Sequence, residues 1–139
     1  LLQKNINLND LTGEKTEIVE AKVGDQLRKY RDMSKTFDMI ILDPPKFAND
    51  RAHLEQAMRA YKDINLLAVK LLKKNGILVT FSCSQLMTDE IFQKTVAFAS
   101  VDANRNVQII EKLQQSSDHP ISLNFPESYY LKGLICRIF

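Results

Sequence analysis

The hydrophobic positions change period along the chain. Residues 37–42 and 77–81 are short, continuous apolar runs, as expected of strands buried on both faces. Between them Leu54, Ala57, Met58, Tyr61, Ile64, Ala68 and Leu71 recur every three or four positions. That spacing predicts one long helix over roughly 50–74, stopped by Asn75-Gly76. Thr88 is an N-cap candidate, with Asp89 and Glu90 in the first turn of a helix presenting Ile91, Phe92, Thr95, Val96 and Ala99. Leu27 and Tyr30 give 24–33 a helical stripe, and a further short helix ends near Leu11 with Thr12-Gly13 as its stop. Strands are expected at 16–23, 107–113 and 129–138, with turns at Asp118-His119-Pro120 and Pro126-Glu127-Ser128. Alternating strand and helix predicts an α/β fold with a mainly parallel sheet. No repeat, low-complexity tract or Gly/Ser-rich linker divides the chain, so residues 1–139 are read as one domain.

Composition narrows the function classes only a little. The 139 residues are 45% hydrophobic and 26% charged, with a net charge of +2. That is ordinary for a globular chain; it permits an RNA partner without arguing for one. The two cysteines, Cys83 and Cys136, make neither a disulfide framework nor a zinc pattern, which fits a reducing cytoplasm. No metal site is expected, and His53 and His119 are read as structural or surface residues. The apolar runs are too short to span a membrane. The opening at Leu1, inside what reads as a helix, leads to the expectation of a piece of a longer protein. The basic residues of the long helix (Arg51, Arg59, Lys62, Lys70, Lys73 and Lys74) are read as a solvated face rather than a partner-binding one.

Two strand ends carry candidate chemistry. The run ending at Leu42 passes into Asp43-Pro44-Pro45-Lys46-Phe47. Ligands of open α/β sheets bind beyond the C-terminal ends of strands, and two prolines make a stiff loop there. The next predicted strand ends in Ser82-Cys83-Ser84. If the two strands are parallel neighbours, Asp43 and Cys83 emerge side by side, a carboxylate beside a potential nucleophile. Each motif alone is weak. Asp-Pro-Pro also serves as a plain turn, and a lone cysteine is commonly a small buried hydrophobe. Cys136, inside the last apolar run, is read as core.

Together the motifs resemble a family. Asn5-Ile6-Asn7-Leu8-Asn9, Tyr30-Arg31-Asp32, Asp43-Pro44-Pro45-Lys46-Phe47, Tyr61-Lys62-Asp63-Ile64-Asn65, Thr80-Phe81-Ser82-Cys83-Ser84, Asp118-His119-Pro120 and Tyr130-Leu131-Lys132-Gly133 occur in family order. They resemble bacterial class I RNA methyltransferases of the ribosomal large-subunit methyltransferase I type. The resemblance implies the C-terminal part of a Rossmann-like catalytic domain. Its glycine-rich first strand and its second strand are missing here, and its last strand is antiparallel. It implies S-adenosylmethionine as cofactor, ribosomal RNA as partner and methylation at cytosine C5. In that scheme Cys83 attacks C6 and Asp43 holds the N3/N4 edge. The substrate would lie against Pro44, Pro45, Lys46, Phe47, Ser82 and Ser84, with Lys46 meeting a phosphate. The cofactor would lie against Asp43, Pro44, Lys22 and Val23. Many C5 enzymes carry a second cysteine where this chain has Pro45, and the position that often binds adenine through Asp reads Ala21-Lys22-Val23.

The missing strands would lie between 16–23 and 37–42 in the family's sheet. The second of these should therefore expose an unpaired edge, and a homodimer through that edge is one way of covering it. The segment by itself is expected to be inactive and to bind the cofactor weakly. Two other readings stay open. One is methylation of guanine N7 or an amino nitrogen in RNA; the other is a non-catalytic RNA-binding fragment.

Overall fold

In the computed structural model residues 1–11, 16–47 and 50–139 are described, and the expected Thr12-Gly13 helix stop lies outside them. The elements in order are α1 (Leu2–Leu8), α2 (Val23–Asp32), β1 (Phe37–Leu42), α3 (Leu54–Leu71), β2 (Leu72–Ser82), α4 (Asp89–Asp102), β3 (Val107–Gln114) and β4 (Lys132–Ile138). Short 3₁₀ turns at Arg51–His53 and Pro126–Ser128 complete the described structure.

The strands form one sheet in the order β1-β2-β4-β3. β1 and β2 are parallel, whereas β4 runs antiparallel to both β2 and β3. The last strand is antiparallel, as the resemblance implied, and lies between β2 and β3; with one parallel pair and two antiparallel ones, the described sheet is not the mainly parallel one expected. α3 and α4 cover one face. Inward-facing Leu42, Leu78, Leu134, Cys136 and Ile138 meet Tyr61, Ile64, Leu67, Ala68, Phe92 and Val96 in a single core. The Tyr61 and Phe92 rings meet edge to face at 5.8 Å and tie α3 to α4. Truncating such a buried ring to alanine typically costs roughly 3–5 kcal/mol.

The opposite face of the sheet is largely bare. Met39, Ile41 and Ile110 are 54%, 62% and 53% exposed. The free side of β1 has no strand beside it among the described residues. An apolar face together with an open strand edge is a surface that wants a cover.

Four expectations need correction. Residues 16–22 form no strand; their side chains are exposed, and Val23 already belongs to α2. Strand-forming side chains such as Ile18 and Val19 cannot hold a strand without a hydrogen-bonding neighbour, and the described sheet gives this segment none. The long helix stops at Leu71, not Lys74. Leu72 is already extended, 2% exposed, and pairs with Phe37 of β1, so tertiary pairing overrides helical propensity here. Asn75-Gly76 is therefore not a helix stop but the corner of a bulge in β2. The register jumps from Phe37↔Leu72 to Met39↔Ile77, and Asn75 takes φ 65°. A side chain at Gly76 would lie 2.9 Å from the Lys73 carbonyl. Finally, β4 begins at Lys132, three residues later than expected, because the preceding residues form the 3₁₀ turn and its exit.

Other readings hold. The Thr88 hydroxyl accepts from the Ile91 N–H at 3.3 Å and caps α4. Of the basic residues read as a solvated face, Arg51, Arg59 and Lys70 are exposed, Lys62 pairs with Asp102 at 2.7 Å, and Lys73, which lies in β2, pairs with Asp38 at 2.8 Å. His53 lies in the exposed turn that Asp50 caps, accepting from the His53 N–H at 3.1 Å.

Candidate functional site at the parallel strand ends

The parallel β1–β2 pairing fixes the site. Leu42 lies opposite Thr80, so Asp43 leaves the end of β1 and Cys83 the end of β2 at the same edge of the sheet. Asp43 is exposed, Cys83 is half-buried and unpaired by any disulfide, and Ser82 and Ser84 on either side of it are buried. The Ser82 hydroxyl accepts from the Ser84 N–H at 3.4 Å, which pinches the backbone around Cys83. On the β1 side Pro44 is buried, Pro45 and Lys46 face solvent, and the Phe47 ring packs on Tyr61 at 4.8 Å. The stiff Pro-Pro loop is thus anchored at both ends.

Tyr61 joins the two halves of the site. Its side chain is fully buried, and its hydroxyl has no hydrogen-bond partner among the described residues. Burial pushes the phenol up from its ordinary range, and the charges of Cys83 and Asp43 push the same way. The Ser82 hydroxyl lies near enough to oppose them, although outside hydrogen-bonding alignment. The phenol thus lies between the two strand ends, with the Ser82 hydroxyl and the Phe47 backbone opposing the upward push. Tyr61→Phe is therefore expected to leave the melting temperature unchanged or raise it. In the full-length protein it should lower kcat/KM about fivefold, the loss of one ordinary hydrogen bond of about 1 kcal/mol. Thermal melting and a methyl-transfer assay on the same preparation check both; a clear drop in melting temperature would mean the hydroxyl serves the fold instead.

Sequence reasoning missed Lys132, quoting it only as part of a motif. Lys132 is 3% exposed, and its Nζ donates to the Ser84 carbonyl at 2.8 Å. Burial holds the ammonium below its usual lysine range, while the charges of Asp89 and Cys83 pull it back up. The Tyr129 ring lies 5.5 Å from the same ammonium, and the Tyr129 hydroxyl donates to Asp89 at 2.9 Å. Burial and that carboxylate push the Tyr129 phenol up to about 12. A signal existed: Lys132, Leu134, Cys136 and Ile138 share the inward face of β4, and a lysine in that period is out of place. Cys136 is fully buried, with its thiol pushed up to about 11 by burial, as suits a core residue.

Lys22 and Val23 stand apart from this cluster, at the start of α2, both exposed. Asp25, in the first turn of α2, faces Arg28 at 3.4 Å. A cleft of about 370 Å³ lined by Met58, Arg59, Lys62 and Phe98 lies between α3 and α4, away from the strand ends. Among the described residues no cluster of His, Cys, Asp or Glu could hold a metal ion, and no helix is long and apolar enough to cross a membrane.

No protein-family model matches the chain. Individual relatives do. Ribosomal RNA large subunit methyltransferase I of Shewanella frigidimarina is 55% identical over 135 residues, 97% of this chain. The Pseudoalteromonas atlantica protein of the same name is 52% identical over 98% of it. This chain is a homologue of the ribosomal RNA large subunit methyltransferase I proteins. It spans about a third of the length of these relatives, 34% in each case. The fold agrees. A Streptococcus mutans protein described as an S-adenosylmethionine-dependent methyltransferase superposes on 97% of this chain with a TM-score of 0.81 at 21% identity. NSun6 from Pyrococcus horikoshii superposes on 99% of it with a TM-score of 0.62 at 18% identity, and the chain covers 34% and 37% of those two structures. The four-stranded sheet is thus a truncated Rossmann-like class I methyltransferase sheet.

Proposed function

We propose that the protein carrying this chain methylates cytosine at C5 in large-subunit ribosomal RNA, with S-adenosylmethionine as methyl donor and Cys83 as covalent nucleophile. The observation that supports this most is the delivery of Cys83 and Asp43 to one sheet edge by paired parallel strands. The names of the relatives supply the RNA and the methyl transfer. A setting in the cytoplasm, where ribosomal RNA is made accessible, belongs to the same reading.

The chain's own residues fit one side of a cofactor pocket. Asp43 and Pro44 sit at the end of β1, while Lys22 and Val23 lie at the start of α2, apart from them. Gly24 lies in α2 and Gly76 and Gly133 lie in strands, so no glycine-rich loop follows a strand among the described residues. Lys22 stands where the resemblance places an adenine-binding Asp, so that contact is not made as an acceptor here. When bound, S-adenosylmethionine supplies an electrophilic methyl group.

The protein's work is on the base. Cytosine C5 is a poor nucleophile until a thiolate adds to C6. In this reading Cys83 makes that bond, which its partial exposure and its position in the Ser82–Ser84 turn support. Asp43 accepts from the N4 amino group and a protonated N3 as electron density moves onto the ring. Once C5 carries the methyl group, its proton leaves and the C6–sulfur bond breaks, which restores the aromatic ring and the thiolate. Position 45 holds proline, so no second cysteine is available there for the release step. The target base must leave its stack to enter, passing Pro45, Lys46 and Phe47, where Lys46 faces solvent and can meet a phosphate.

Mapping modified nucleosides in large-subunit ribosomal RNA from cells lacking the gene tests the assignment. Loss of one 5-methylcytidine is expected. Loss of a 7-methylguanosine or an amino-methylated base instead would move the protein to the rival chemistry, and an unchanged map would leave it a binding module.

A further inference from the structure

Lys132 carries an inference beyond the assignment of the nucleophile, and rests on that assignment. Its Cα lies opposite Ser82 across the antiparallel β2–β4 pair, and its Nζ reaches forward to the Ser84 carbonyl at 2.8 Å. The side chain therefore spans the one residue in between, Cys83. Its neighbour Gly133 brings β4 close to β2 at this point: a Cβ there would lie 2.6 Å from the Phe81 ring.

The strand has no packing need for a lysine here. The other inward positions of β4 are Leu134, Cys136 and Ile138, all apolar and buried. A buried ammonium is costly unless charge and hydrogen bonds compensate it. The Ser84 carbonyl and the Tyr129 ring are neutral partners. Asp89, on α4, also accepts from the Tyr129 hydroxyl. Asp89 supplies the first compensating charge, and the sulfur of Cys83 in its ionised form supplies a second.

We propose that Lys132 is a positioning residue for Cys83: its ammonium fixes the Ser82–Ser84 turn through the Ser84 carbonyl and its charge favours the thiolate. The thiol proton leaves to solvent, and Lys132 stays protonated throughout. The charged and titratable groups that face this pair are Asp43 from the end of β1, Tyr61 from α3, Asp89 from α4 and Tyr129 from the segment before β4. Both phenols are pushed up and stay neutral near pH 7, and both carboxylates oppose a thiolate. Lys46, on the loop after β1, is exposed to solvent. The positive charge that offsets the carboxylates is that of Lys132.

The test uses the full-length protein without RNA. Wild type, Lys132→Met and Lys132→Arg are alkylated with iodoacetamide across a pH series, and modification of Cys83 is read by peptide mass. At neutral pH, Lys132→Met should slow alkylation about tenfold, since only the thiolate reacts, while the alkaline plateau stays unchanged. Lys132→Arg should restore most of the neutral-pH rate. A purely structural lysine would change the rate by the same factor at every pH, or not at all, and either result overturns the proposal. If Lys132→Met does not fold, Asp89→Asn replaces it: removal of the opposing carboxylate should speed neutral-pH alkylation, and an unchanged profile overturns the proposal. Methyl transfer by Cys83→Ala is measured alongside. Retained turnover there removes the nucleophile assignment without touching the alkylation result; a dead Cys83→Ala with a pH profile indifferent to Lys132 removes this inference alone.

Discussion

Replacing Cys83 by alanine should abolish methyl transfer by the full-length protein, with a loss of about a thousandfold or more in kcat, because the covalent route disappears rather than weakening. The fold should survive. Cys83 is half-buried, stands just past the end of β2 and lies outside the hydrophobic core. A stability change within about 1 kcal/mol is therefore expected. Cys136 makes the complementary control. It is fully buried, and its thiol is held protonated by burial. Cys136→Ala should cost about 1–2 kcal/mol of stability through the cavity it leaves. The activity of each folded molecule should not change. An N-methyltransferase on this scaffold would show the opposite pattern, indifferent to Cys83. Melting curves and single-turnover methyl transfer on the two variants separate these cases.

The segment from residue 1 to residue 139, prepared alone, should bind S-adenosylmethionine far more weakly than the full-length protein. Its described residues offer the Asp43 end of β1 and the start of α2, but no glycine-rich loop beside them. Binding through one side of a pocket forgoes the backbone N–H donors such loops supply. The same segment should be sticky. Met39, Ile41 and Ile110 lie on a bare sheet face, and β1 has an open edge. Calorimetric titration is expected to show no binding in the low-micromolar range, and sedimentation should show self-association, a homodimer through the β1 edge being its simplest form. Low-micromolar cofactor binding by a monomeric segment would overturn this account of what the rest of the protein provides.

What could be read from the sequence follows from where structure is locally determined. β1 and the core of β2 were visible as unbroken apolar runs, although β1 is not buried on both faces as that pattern suggested: Met39 and Ile41 are exposed on it. α4 was visible because Thr88 closes its first turn by a local hydrogen bond. Residues 16–23 carried the same kind of β-forming side chains as β1, yet a strand is a property of a pair, and its partner is not in the described sheet. Asn75-Gly76 misled for a related reason. Both residues do mark a sharp change of direction, but only the pairing of Leu72 with Phe37 decides whether the corner ends a helix or bulges a strand. At the site, Asp43 and Cys83 could be found because strand ends are legible. Lys132 and Tyr61 could not, because their importance comes from what the fold brings beside them: a carbonyl next to a cysteine in one case and the ends of two strands in the other.

The claim that carries the rest is that Cys83 bonds to the base that is methylated. Large-subunit ribosomal RNA transcribed with 5-fluorocytidine offers that base a fluorine at C5, which cannot depart as the proton does. Incubated with the full-length protein and S-adenosylmethionine, it should give a covalent protein–RNA complex whose peptide map places the cross-link on Cys83, with one added methyl group on C5 of the trapped base. Efficient methylation of the unmodified RNA with no trapped complex from the fluorinated one, or a cross-link at any other residue, would contradict it.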